Sequence, residues 1–182
     1  IRGRARQLRR SPVSVQVEGT AAPATGVTQT VFPVRQDHKV ALLVELLRRP
    51  DGIANALVFT RTKHRANRLA DQLDRQGIAC ERVHGNRSQA QRTAALAGFK
   101  NGRFRVLVAT DVAARGIDIE ALSHVVNFDV PAVADDYIHR VGRTARNGAT
   151  GEAFTFVAPE EQSDLGAIER AVGRRLDRRT LE

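Results

Sequence analysis

From Val31 onward, short apolar runs alternate with stripes of helical period. The run at 56–60, Ala-Leu-Val-Phe-Thr, is continuously apolar up to Thr60, as expected of a strand buried on both faces. Further strands are predicted at Thr30–Val34, Ile78–Val83, Phe104–Ala109, His124–Phe128 and Ala153–Val157. Pro33 cannot donate to a ladder, which points the first of these to an edge position. Helices are predicted between the strands. Residues 37–49 form one, capped by Asp37. In 62–77, Ala66, Leu69, Ala70 and Leu73 repeat at i, i+3, i+4, i+7, and Gly77 is placed to end the helix. Ser88 followed by Gln91 reads as a capping box that opens a third helix. Residues 134–146 and 160–175 complete the set. Strands alternating with helices predict an α/β fold, with a mainly parallel central sheet and helices on both faces.

Residues 1–30 lack this rhythm, and Glu18–Gln29 is rich in Gly, Ala, Pro and Thr, as a linker is. The folded part is therefore expected over 31–182. At 182 residues and 42% apolar content the chain suits one ordinary domain. Aromatic residues are only 4%, so the core must be aliphatic. No apolar run reaches the roughly 20 residues of a membrane span, and no apolar segment follows the basic N-terminus to make a secretory signal. The chain opens on Ile1 and contains no Met, which reads as a piece of a longer protein.

Cys80 is the single cysteine, so no internal disulfide forms, and no Cys/His cluster has metal-ligand spacing. Cys80 is expected to be a small core residue in a reducing, cytoplasmic protein. The net charge of +9 is uneven: residues 1–12 carry five arginines and no acid. Global basicity points to a polyanionic partner, but its location in the tails makes it weak evidence for a groove on the body.

In a parallel α/β sheet, functional groups gather at the carboxyl ends of the strands. Four stretches fall there: Val58–Lys63, Val83–Arg92, Val106–Ile119 and Tyr137–Gly148. In Val106–Ile119 a buried strand delivers Thr110 and Asp111, Gly116 permits close backbone approach, and Asp118 presents a carboxylate. Asp118 fits either a ribose contact or a turn, and Thr110 fits either a ligand contact or a local turn. Gly85-Asn86 precedes a helix N-terminus, a place that favours an anion. Gln89 and Arg92 share a face of that helix. In Tyr137–Gly148, Arg140, Arg143 and Arg146 recur every third residue beside His139, with no acid between Asp136 and Glu152. Uncompensated guanidinium groups suit a phosphate whose charge grows in a transition state.

Together these stretches resemble the DEAD-box RNA helicases. Val106–Ile119, followed by His124–Pro131 and Tyr137–Arg146, is similar to motifs V and VI; Ala56–Lys63 is similar to motif IV; Ser88–Arg92 is similar to the Q-x-x-R element. The resemblance runs from about Val31 to Ile168, and 58–73 and 84–100 look closest to the bacterial RhlE-like subgroup. It implies the second, RecA-like domain of an ATP-dependent helicase, with residues 1–12 ending the preceding domain and 13–30 the linker. Gly116 and Asp118 would contact the nucleotide, with Asp118 at the ribose. Arg143 and Arg146 would reach the γ-phosphate as arginine fingers. His139, Arg140 and Arg115 would organise the interface with the N-terminal RecA-like domain. Arg61, Thr62, Gly85, Gln89, Arg92 and Thr110 would line the RNA backbone. Mg²⁺ would be held with ATP by the N-terminal domain, because the chain has no G-x-x-x-x-G-K-[ST] and no Asp-Glu-Ala-Asp. The isolated chain is then expected to be an inactive monomer. One departure from the family's H-R-x-G-R-x-G-R is Ala145 at the second glycine, expected as a tolerated, helix-compatible change. A DNA-directed helicase of the same superfamily and a stand-alone nucleic-acid-binding module are the alternatives.

Overall fold

The computed structural model describes residues 26–115, 117, 119, 122–145 and 150–181. Seven strands form a single sheet: β1 Val27–Pro33, β2 Ala56–Phe59, β3 Cys80–Val83, β4 Val106–Ala109, β5 His124–Asn127, β6 Gly151–Val157 and β7 Asp177–Arg178. Their order is β3-β4-β2-β5-β6-β1-β7, and every pairing is parallel. Six helices connect them: α1 Lys39–Arg48, α2 Lys63–Arg75, α3 Gln89–Lys100, α4 Asp111–Ala114, α5 Ala134–Val141 and α6 Gln162–Val172.

The strands explain the two-layer core. β2, β4 and β5 are buried at every position, and alternate residues go to opposite faces. Leu57, Phe59, Leu107, Ala109 and Val125 join one cluster with Ala95 and Phe99 of α3, Tyr137 of α5 and Leu165 of α6. Ala56, Val58, Val106, Val108 and Val126 join the other, with Leu43 and Leu47 of α1 and Leu69 and Leu73 of α2. Helices therefore cover both faces, as predicted. Burying each such leucine stabilises the fold by about 1.5–3 kcal/mol.

Local signals worked where the partners are close in sequence. The predicted stripe of α2 is its buried face, Gly77 ends the helix at φ +74°, and Ser88 and Gln91 make the reciprocal capping bonds at 3.2 and 3.0 Å. Three details differ. Asp37 does not cap α1: it lies in a 3-10 turn at Gln36–His38, and Arg35 takes its carboxylate at 3.0 Å. β1 begins at Val27, inside the stretch expected to be irregular, because β6 pairs with it along its whole length. Pro33 is tolerated as its last residue, beyond the two-residue contact with β7. α5 stops at Val141, and Gly142 is its C-cap, so Arg143 and Ala145 stand in a turn rather than on the helix. Ala145 has φ +54° and is the only described non-glycine residue in the left-handed region. The helix-compatible reading of Ala145 is thereby corrected: the position has the backbone glycine favours.

Cys80 is half-buried against the α1–α2 cluster, with its thiol donating to Ala70 O at 3.3 Å. Burial, reinforced by Asp74 and Glu81, pushes it up to about 11, which disfavours the reactive thiolate. No described helix is long and apolar enough to cross a membrane.

Candidate functional site

The carboxyl edge of the sheet is organised by Arg140. This side chain is 3% exposed. Its Nε and Nη2 donate to Asp111 Oδ1 and Oδ2 at 2.6 and 2.7 Å. Its Nη1 donates to Asn127 Oδ1 at 3.2 Å and to Asp129 O at 2.8 Å. The guanidinium also stands over the Phe59 ring at 4.9 Å from its centre. One residue of α5 thus ties together the ends of β2, β4 and β5. Arg140 is not the uncompensated cation its surrounding sequence suggested, because its acid comes from a different strand end. A buried bidentate arginine–carboxylate pair is strong and geometrically exact about orientation. It fixes how α5 sits on the sheet.

That docking sets the position of the neighbours. Arg143 and His139, with Arg115, Asp136, Ala114, Asp111 and Phe59, line a cavity of about 210 Å³. Arg143 Nη1 donates to Ile117 O at 3.3 Å. The next residue, Thr144, is 2% exposed and donates its hydroxyl to Leu122 O at 2.5 Å. Arg115 and His139 are exposed on the rim. Four expected residues, Arg115, His139, Arg140 and Arg143, are therefore brought to one place. Gly116, Asp118 and Arg146 lie outside the described residues.

A second group lies along the ends of β2, β3 and β4. Thr110 precedes α4 without a side-chain cap bond, so its hydroxyl is not consumed by the helix. Arg92 donates to Ala113 O at 3.3 Å, which brings the N-terminal turn of α3 beside α4. Gln89 is exposed at the start of α3. Gly85 is exposed in the turn after β3, and a Cβ there would meet nothing within 4 Å. The turn is braced from below by His84. Its Nε2 lies 2.9 Å from Asn67 Oδ1 and its Nδ1 accepts from Asn86 N at 3.3 Å. Those partners require a neutral ring, and burial, with Arg87 and Arg82 nearby, holds its pKa below the usual histidine range. Lys63 reaches Asn86 Oδ1 at 3.1 Å, linking the β2 and β3 turns.

Arg61 and Thr62 carry structural duties as well. The Thr62 hydroxyl caps α2 by accepting from Arg65 N at 3.2 Å. Arg61 donates to Val130 O at 3.0 Å and pairs with Asp164 at 3.5 Å, yet its side chain remains 50% exposed. Its backbone N–H donates to Asp129 Oδ2 at 2.8 Å. Arg65 approaches the other oxygen of Asp129 at 2.8 Å, as an ion pair without hydrogen-bond geometry.

Asn127, Asp129 and Phe59 were missed by sequence reasoning as parts of this site, and Asp111 was placed at its strand end without its pairing to Arg140. Asp111 carried a usable signal, a carboxylate at a strand end facing a run of arginines. Asn127 carried another, since an amide inside an apolar strand needs a buried partner. Another hollow, of about 770 Å³, opens elsewhere, among Val40, Leu69, Phe128 and Arg65 on the α1–α2 side. It contains none of the candidate residues. Among the described residues no group of three or more His, Cys, Asp or Glu could hold a metal ion.

The family described as Helicase conserved C-terminal domain matches residues 38–148. The chain is 45% identical over 169 residues to the DEAD-box ATP-dependent RNA helicase CshA of Bacillus subtilis, covering 92% of this chain and 34% of that protein. It thus spans about a third of the length of the curated relatives it matches. Among solved structures, the Escherichia coli DEAD-box protein SrmB, bound to regulator of ribonuclease activity A, aligns with TM-score 0.82 and 40% identity over 87% of this chain and 93% of that one. The Saccharomyces cerevisiae Dbp5 bound to RNA and ADP BeF3 aligns with TM-score 0.81 and 30% identity over 98% of this chain and 48% of that one. The parallel sheet with helices on both faces is the RecA-like α/β fold these proteins share.

Proposed function

From the premise that this chain belongs to the helicase conserved C-terminal domain family and is a DEAD-box C-terminal domain, we propose that it forms one wall of a cleft in an ATP-dependent RNA helicase. The other wall is an N-terminal RecA-like domain of the same protein, which holds ATP with Mg²⁺. ATP supplies the phosphoryl group whose hydrolysis drives the cycle. Arg143 and Arg146 stabilise the charge that develops on it, and Gly116 and Asp118 contact the nucleotide. Thr110, Gln89, Arg92, Gly85 and the Arg61–Thr62 turn follow the sugar-phosphate backbone of RNA.

A single observation carries this reading: the buried Arg140–Asp111 pair holds Arg143 and His139 on one cavity wall, next to the strand ends that bear Thr110. Two further features support it. Val112 within α4 and Val133 at the N-cap of α5, 76% and 55% exposed, are large apolar side chains. Apolar groups left exposed at such an edge suit an interdomain contact. The RNA-side groups are hydroxyl, amide, guanidinium and glycine, which serve phosphate and ribose rather than base stacking. Weak sequence preference and steep salt dependence follow.

Because the chain offers only half of such a site, it is inactive alone, and works as a monomeric part of a cytoplasmic hydrolase. The similarity of the motif spellings at 58–73 and 84–100 to the bacterial RhlE-like subgroup supports assigning it there. Arg143→Ala in the full-length protein tests the central assignment. RNA-stimulated ATP turnover is expected to fall on the order of 10³-fold; turnover near wild type removes Arg143 from catalysis.

A further inference from the structure

Arg143 is flanked by two buried residues. Arg140 anchors the chain before it, and Thr144 anchors it after. The Thr144 hydroxyl donates to Leu122 O at 2.5 Å and lies 3.5 Å from Ser123 O. Leu122 is itself buried, and Ser123 is fixed to the β2 side of the sheet by Asn55, through bonds at 2.7 and 2.8 Å. The acceptor is therefore a buried residue next to one that is tied down on both its N–H and its hydroxyl, just before β5.

The fit of Thr144 depends on Gly151. A Cβ on Gly151 would overlap Thr144 Oγ1 and come within 2.9 Å of Ala145 N. Gly151 is the first residue of β6 and is paired with Val27 of β1, so it cannot retreat without disturbing the sheet. On the other side, Ala145 takes the left-handed backbone at φ +54°. The turn after Arg143 is thus clamped from three directions: a carbonyl in front, a missing side chain behind and an uncommon backbone state beyond.

We propose that Thr144 is a positioning residue for ATP turnover, its hydroxyl holding the Arg143 turn at the distance from the sheet at which the Arg143 guanidinium meets the nucleotide. This inference rests on Arg143 being the residue that does so. Arg143 Nη1 donates to Ile117 O and the Thr144 hydroxyl to Leu122 O. Consecutive residues of the turn thus bind two backbone carbonyls between α4 and β5. A threonine meets this requirement because its methyl group fills buried space while its hydroxyl supplies the donor. Valine keeps the shape and lacks the donor; serine keeps the donor and lacks the methyl group.

The test uses the full-length protein with Thr144→Val, Thr144→Ser, Gly151→Ala and Arg143→Ala. RNA-stimulated kcat and KM are measured below the unfolding temperature of each variant. A misplacement of about 1 Å can cost on the order of 10²-fold in rate. Thr144→Val is accordingly expected to lower kcat by about 10–10²-fold, with the KM for RNA nearly unchanged. Thr144→Ser should restore most of the rate. Gly151→Ala, which displaces the hydroxyl without altering it, should lose kcat as Thr144→Val does, and serves if Thr144→Val does not fold. Full kcat in Thr144→Val or Gly151→Ala alongside an inactive Arg143→Ala overturns the positioning role and leaves the finger assignment intact. An active Arg143→Ala overturns both. Equal loss in the serine and valine variants also overturns the proposal, since it assigns the effect to packing rather than to the hydroxyl.

Discussion

Replacing Asp111 by alanine removes both carboxylate acceptors from a guanidinium that is 3% exposed. Breaking a buried pair from one side costs about 3–5 kcal/mol, because the surviving charge stays buried without its counter-ion. Two features put this case at the lower end. The Asp111 side chain is itself 29% exposed, so water can reach its vacated place. Arg140 also keeps Asn127 Oδ1 and Asp129 O. A loss of about 3 kcal/mol is expected. For a domain of this size that corresponds to a melting point lower by about 6–12 °C. Urea unfolding of the chain, with the m value held in view, gives the free energy directly. The double variant Asp111→Ala/Arg140→Leu should lose less than the two single losses combined, since removing both charges leaves neither stranded. A loss below about 1 kcal/mol in Asp111→Ala would refute the claim that this pair docks α5.

Ala145→Gly should stabilise the chain: a non-glycine residue in the left-handed region costs about 1–2 kcal/mol, offset by about 0.5–1 kcal/mol of extra chain entropy for glycine. A rise in the urea midpoint is expected, and a clear fall would show that the Ala145 methyl group matters more than its backbone. Stability should also decline as pH falls below about 6.5, the ordinary histidine value. His84 and His124 have their pKa values lowered chiefly by burial. The unfolded chain therefore binds more protons in that window, and unfolding free energy rises with pH. Urea melts between pH 5.5 and 7.5 read the slope, which His84→Gln should flatten; an unchanged slope would exclude His84 as a source.

Elements whose determinants lie within one turn of each other were readable from the chain. The Ala66–Leu73 stripe, the Ser88–Gln91 box and Gly77 are of this kind, because a helix makes its own contacts between near neighbours. Residues that depend on distant partners were not. Counting acids near Arg140 in sequence missed Asp111, 29 residues away. The arginine spacing suggested one continuous helix through Arg146, yet Gly142 and the clamp on Thr144 turn the chain out of it. Asp37 had the right identity for a cap, but Arg35 competes for its carboxylate. β7 has only two paired residues and no pattern to announce it. At the site, the strand-end stretches supplied Arg115, His139, Arg140 and Arg143, which the fold brings to one cavity, while the bonds of Arg140 to Asp111, Asn127 and Asp129 emerged only from the packing.

The placement of β1 between β6 and β7 has a consequence for the order of assembly. The earliest strand of the sheet finds its hydrogen-bonding partners only in residues 151–157 and 177–178. A ribosome making this chain must therefore expose β2, β3, β4 and β5, which can pair among themselves, while Val27–Pro33 waits unpartnered for residues 151–157 and 177–178. Closing so long a loop is slow compared with forming neighbouring contacts. Strand β1 is thus the last piece of the sheet to lock, and its docking joins the first and last described strands in one step.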